Sequence, residues 1–226
     1  PHLLDVTERF LIGNHPMPES ALRENVSFFK ELSETLGVTP TFFEMNTAMA
    51  FRWFARQAVD IALIEVGMGG RFDSTNIVSP EVCAITNIDL DHTRYLGETP
   101  AAIAFEKAGI LKQGVPAVIG EMGDEALSVI REQAALKNAP LHGSGSAYVF
   151  KAGGTAWRPL MAYRGFGRVL KDLELGLAGM HQAHNAALAV SLALLLKGKF
   201  SRVTDDNIRT GVSSARWPGR LERVMD

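Results

Sequence analysis

Three side chains between Ile61 and Lys107 could act together: a carboxylate, an imidazole and an amine. After Asp60, the run Ile61-Ala62-Leu63-Ile64-Glu65-Val66-Gly67 is apolar except for its glutamate near the end. A short run rich in branched residues and closed by glycine predicts a strand buried on both faces. The loop Met68-Gly69-Gly70-Arg71-Phe72-Asp73-Ser74-Thr75-Asn76 follows, and then a second apolar run over Val82–Ile88 that leads into Asp89-Leu90-Asp91-His92. Two neighbouring strands would thus each deliver a metal-competent side chain, Glu65 and His92, at the edge where open parallel α/β sheets bind ligands. The plainer alternative is a glutamate on a solvated edge and an incidental loop histidine.

Lys107 is the third member. Residues Pro100–Lys112 read as a helix, and Lys107 lies four residues after Ile103 and three before Ile110, on the apolar stripe. An unpaired ammonium is costly to remove from water. A lysine so placed snorkels to solvent, pairs with a carboxylate, or is chemically altered.

Glu65-Val66-Gly67-Met68-Gly69-Gly70-Arg71-Phe72-Asp73-Ser74-Thr75-Asn76, Leu90-Asp91-His92-Thr93-Arg94-Tyr95-Leu96-Gly97 and Glu106-Lys107-Ala108-Gly109-Ile110-Leu111-Lys112 closely resemble blocks of the folylpolyglutamate synthase/dihydrofolate synthase family. These are Mur-ligase-type ATP-dependent amide ligases, and the blocks stand in the family's order and spacing. The resemblance implies that Glu65 and His92 are Mg2+ ligands and that Lys107 carries a carbamate. The chemistry is coherent. CO2 adds to a neutral amine, so burial that depresses a lysine pKa favours the reaction, and the product is an anion with two hard oxygen donors.

The elements that must position these groups read as an α/β chain: a mostly parallel sheet with helices on both faces and a small antiparallel addition, like a Mur-ligase central domain. Thr7–Ile12 reads as a short strand. Pro16, Pro18 and Ser20 open a helix with Leu22, Val26, Phe29, Leu32 and Leu36 at helical spacing, closed by Gly37. Residues 39–44 read as an extended link into a helix over Met45–Ala58, whose Met45, Met49, Phe51, Trp53 and Phe54 are better explained as core than as a binding box. The resemblance makes Thr41 and Phe43 pterin contacts, and Arg71 and Asp73, in the loop beside Glu65, are candidates to shape the same pocket. Strand signals at Pro116–Gly120 and Pro140–His142 flank a helix over Asp124–Lys137, and this alternation predicts a parallel sheet. Between Gly143 and Glu174 the alternating residues and glycines predict antiparallel hairpins.

His181-Gln182-Ala183-His184-Asn185 precedes a strongly apolar helix, so its polar first turn must face a ligand or solvent. The family has a similar element whose amide contacts ATP adenine, which makes Asn185, and secondarily Gln182, nucleotide candidates beside the alternative of simple helix capping. Asp205–Ser213 reads as a last helix. The Pro-Gly-Arg segment at Arg220 matches the family's phosphate-contacting arginine, a fork of donors suited to phosphate oxygens.

Net charge of −2 offers no footprint for nucleic acid or an anionic membrane, and a lone cysteine, Cys83, suits a reducing cytoplasm and a core position. G-x-x-x-x-G-K-[ST] does not occur in the 226 residues. Pro1-His2-Leu3 matches the family's Ser-Pro-His-Leu loop without its serine. The expectation is therefore that residues 1–226 form a Mur-ligase-like central domain, with the phosphate loop upstream and a glutamate-ligase domain downstream. The implied activity joins L-glutamate to dihydropteroate or a folate with ATP and Mg2+, in a monomer. The alternatives are a Mur-type ligase for a peptidoglycan precursor and a non-catalytic nucleotide-binding module.

Overall fold

A computed structural model of the chain describes residues 2–90, 93–219 and 221, so His92 and Arg220 lie outside the described residues. The chain divides into two compact units, Pro1–Met68 with Phe72–Ile77 and Gly69–Arg71 with Val78–Asp226.

The first unit opens on a turn of 3-10 helix, Val6–Arg9, in place of the strand expected over Thr7–Ile12. A capping box wins locally: the Asp5 carboxylate accepts the Thr7 amide, and Glu8 accepts the amides of Leu3, Leu4 and Asp5. A minimal hairpin follows, β1 (Leu11–Ile12) with β2 (His15–Pro16). Helix α1 (Glu19–Leu36) starts after Pro18 and ends at Gly37, whose φ of 64° is the left-handed cap the sequence implied. Helix α2 (Phe42–Arg56) begins three residues earlier than periodicity suggests, because Thr41 and Glu44 cap it reciprocally. Phe10, Met17, Met49 and Trp53 form the core of this unit with Met45 and Phe54 packed against it, so those four members of the methionine–aromatic stripe, Met45, Met49, Trp53 and Phe54, are core.

The Ile61–Val66 run corrects the reading most. It forms no strand, and Leu63 is 94% exposed. An apolar run becomes a strand only when a neighbour completes its hydrogen-bond ladder, and no strand pairs with it among the described residues.

The second unit holds the parallel sheet β3 (Cys83–Ile85), β4 (Ala117–Ile119) and β5 (Leu141–Gly143), in the order β3-β4-β5. Helix α3 (Thr93–Leu96) follows β3, and α4 (Pro100–Lys107) then tightens into 3-10 helix at Ala108–Ile110, so the expected helix through Lys112 stops short. Helix α5 (Asp124–Leu136) joins β4 to β5. Successive strand residues point to opposite faces, which explains the two cores. Ala117 and Ile119 pack with Ile103, Leu111 and Ile130. Val118 faces the other way, toward Met161, Tyr163, Leu188 and Val190. That second face is covered by the antiparallel sheet β6 (Tyr148–Thr155), β7 (Arg158–Gly165) and β8 (Arg168–Glu174) and by α6 (Gln182–Leu196), with α7 (Asp205–Ser214) beyond. Buried Ser191 is satisfied within this core: it donates to the Ala187 carbonyl, and its hydroxyl meets the Tyr163 hydroxyl at 2.8 Å.

Candidate functional site

The loop after Glu65 is held by one carboxylate. Asp73 accepts the Gly67 and Met68 amides on one oxygen, at 3.1 and 3.0 Å, and the Thr75 amide and hydroxyl on the other, at 2.9 and 2.5 Å. Its acceptor sites are thereby committed to the backbone that carries Glu65, so it shapes the loop. Glu65 itself is exposed and accepts no hydrogen bond from the described residues. Phe43 lies over Gly67 so closely that a Cβ there would stand 2.4 Å from Phe43 Cζ. Thr41 is the exposed amino-terminal cap of α2, its hydroxyl 2.8 Å from Glu44 Oε2. The buried Asn46 Nδ2, on the same helix, meets no acceptor among the described residues.

Residues Gly69–Arg71 dock on the end of α4. The Arg71 amide donates to the Glu106 carbonyl at 2.9 Å, and Nη2 donates to the Phe105 carbonyl at 3.1 Å. The guanidinium carbon lies 3.8 Å from the Phe105 ring centroid. This close seating needs glycine on both sides. A Cβ on Gly109 would meet Arg71 Cα at 2.3 Å, and one on Gly70 would meet Ile110 Cγ2 at 2.8 Å. The glycine-rich loop thus fixes the helix end from which Lys107 projects. Lys107 is half-buried and meets no carboxylate or hydrogen-bond acceptor among the described residues. Cys83 is inert by contrast: burial raises its thiol pKa, and Sγ donates to the Ile110 carbonyl.

The carboxyl edge of the parallel sheet also carries residues that sequence reasoning missed. Glu121, two residues past β4, accepts from Ser144 Oγ at 3.2 Å and pairs with His184 Nε2 at 3.3 Å. The His184 ring meets Phe150 edge-on. The rule that singled out Glu65, a carboxylate at the end of an apolar strand, applies equally to Glu121. Beside this cluster, Asn185 Nδ2 donates to Gln182 Oε1 at 3.0 Å, and Gln182 Nε2 lies 3.2 Å from His181 Nε2. Both amides line a cavity of about 450 Å3 between α6 and α7, otherwise walled by residues such as Ala186, Val190, Ile208 and Val212. An apolar slot with amides on its wall suits a flat heteroaromatic ring.

Mg2+ takes hard oxygen ligands and keeps several waters, using one or two carboxylates together with substrate phosphates. The uncommitted Glu65 carboxylate fits that chemistry, and among the described residues no cluster of three or more His, Cys, Asp or Glu forms a closed cage.

The Mur ligase middle domain family model matches residues 20–193. The chain belongs to that family. It is 36% identical over 233 residues to a folylpolyglutamate synthase of Lacticaseibacillus casei, covering 100% of this chain and 54% of that protein. It is 37% identical to a dihydrofolate synthase/folylpolyglutamate synthase of Bacillus subtilis, with the same coverage. A structure described as an FPGS-AMPPCP-folate complex superposes with a TM-score of 0.94 at 34% identity, covering 100% of this chain and 57% of that one. Escherichia coli FolC in complex with DHPP and ADP gives 0.88 at 33%, covering 100% and 51%. The chain spans about half the length of the curated relatives it matches.

Proposed function

We propose that this Mur ligase middle domain serves an ATP-dependent ligase that joins L-glutamate to dihydropteroate or a folate. What carries the reading is similarity along the whole chain, at 36% and 37% identity, to synthases of that name. In the first step the substrate carboxylate attacks the γ-phosphorus of ATP, forming an acyl phosphate and releasing ADP. The glutamate amine then attacks the acyl carbon, phosphate leaves, and the amine's proton passes to solvent.

Glu65, His92 and a carbamylated Lys107 would hold Mg2+. When bound, the metal supplies positive charge to the phosphoryl oxygens, where charge stabilisation is worth most. Asp73 would keep the Glu65 loop in shape, and Arg71 would secure the helix end bearing Lys107. Thr41, Phe43, Arg71 and Asp73 are the proposed pterin-pocket residues. Asn185 would read the adenine, with Gln182 beside it, while Arg220 would bind the nucleotide phosphates. The protein acts as a monomer in the cytoplasm, a compartment that suits the free Cys83 thiol.

The test offers the full-length protein dihydropteroate or tetrahydrofolate with glutamate, ATP and Mg2+. The expected result is phosphate release stoichiometric with a new glutamyl amide. Turnover only with a peptidoglycan precursor, or none with any acceptor, overturns the assignment.

A further inference from the structure

The polar chain on the first turn of α6 has a direction. A primary amide nitrogen only donates and its oxygen only accepts. Gln182 Oε1 accepts from Asn185 Nδ2 at 3.0 Å, and Gln182 Nε2 lies 3.2 Å from His181 Nε2, which accepts it when the imidazole carries its proton on Nδ1. With Nδ2 committed on that side, the carbonyl oxygen of Asn185 is turned away from Gln182. On the same turn, His184 Nε2 lies 3.3 Å from a Glu121 carboxylate oxygen just past β4.

We infer that Gln182 is a positioning residue that sets which atom of Asn185 a purine meets, and so selects adenine over guanine. This rests on the reading that Asn185 contacts the base. Adenine offers its exocyclic amino group as a donor, which an outward Oδ1 accepts. Guanine offers O6 at the corresponding place, and two acceptors would then face one another. An asparagine amide engages adenine by this pairing of its acceptor and donor. Gln182 acts through Asn185, and the apolar wall formed by Ala186, Val190 and Val212 supplies affinity without base discrimination.

Equilibrium titrations of the full-length protein with ATP and GTP separate the possibilities. Asn185→Ala tests the underlying reading and is expected to weaken ATP binding about tenfold, near the upper end for one hydrogen bond. Gln182→Glu keeps an acceptor facing Asn185 and is expected to hold the ATP-over-GTP preference within about threefold of the parent. Gln182→Lys offers only donors, turns the Asn185 amide over, and is expected to lower that preference about tenfold. If Asn185→Ala weakens ATP binding while the glutamate and lysine variants have equal preferences, the inference about Gln182 is wrong and the base contact stands. If Asn185→Ala leaves the affinity for both nucleotides unchanged, the base contact itself is wrong and the inference goes with it.

Discussion

Asp73 and Lys107 are opposite in circumstance: the carboxylate is saturated with hydrogen bonds and the amine has none among the described residues. Removing the Asp73 carboxylate strands the Gly67, Met68 and Thr75 amides, so Asp73→Ala should destabilise the fold by about 1–2 kcal/mol. The full-length variant should also lose kcat/KM, since the Glu65 loop is no longer held. An unchanged denaturation midpoint would show that water replaces the carboxylate without cost. Lys107→Ala should abolish amide formation while leaving the melting temperature near that of the parent, and acetate should restore part of the activity by standing in for the carbamate. Full activity without acetate would sink the carbamate assignment. Tyr148 gives a pH prediction. Burial pushes its pKa from 10.0 up to about 12, and its hydroxyl donates to the Ile119 carbonyl. A raised pKa favours the protonated, folded form, so this contribution is complete below about pH 10 and is lost as pH rises toward 12. Urea midpoints between pH 9 and 11.5 should fall less steeply in Tyr148→Phe than in the parent.

At the scale of elements, backbones approach closely where glycine permits it. A Cβ on Gly120, just past β4, would lie 2.0 Å from the Thr86 carbonyl oxygen. Neither atom belongs to a movable side chain, so Gly120→Ala should cost about 2 kcal/mol or more, measured by urea denaturation. Thr41 carries two roles that a pair of variants separates. Thr41→Ala removes the cap of α2 and should cost about 1 kcal/mol, whereas Thr41→Asn keeps a capping oxygen. Restored stability with a still-raised KM for the pterin substrate would assign Thr41 a contact beyond capping. Restoration of both would leave it a cap alone.

Across the whole chain, much apolar surface lies open: Leu63 is 94% exposed, Phe72 90% and Ile77 79%. Exposed apolar patches drive association. Leu63→Lys in the 226-residue chain should therefore reduce self-association, read by sedimentation, without lowering the unfolding midpoint. The Ile61–Val66 amides, which lack ladder partners among the described residues, should exchange with solvent far faster than those of β4. A midpoint lowered by more than about 1 kcal/mol equivalent would mean that Leu63 packs against something in solution.

The chain's local patterns determined its strand–helix alternation, the antiparallel hairpins, the buried α6 and the core role of Cys83 and the Met49–Trp53 stripe. Periodicity and glycine placement record which face of each element avoids water, and that information is local. The same locality limited it elsewhere. Ile61–Val66 has the composition of a buried strand, but pairing requires a neighbour that composition cannot supply. The Asp5–Glu8 and Thr41–Glu44 boxes moved element boundaries because a few side-chain hydrogen bonds outweigh weak propensity at helix ends. Only the tertiary structure could bring Glu121, Ser144 and His184 together from three separate stretches of chain, or seat Arg71 on Gly109. Those contacts depend on distances across the fold, which spacing along the chain does not encode.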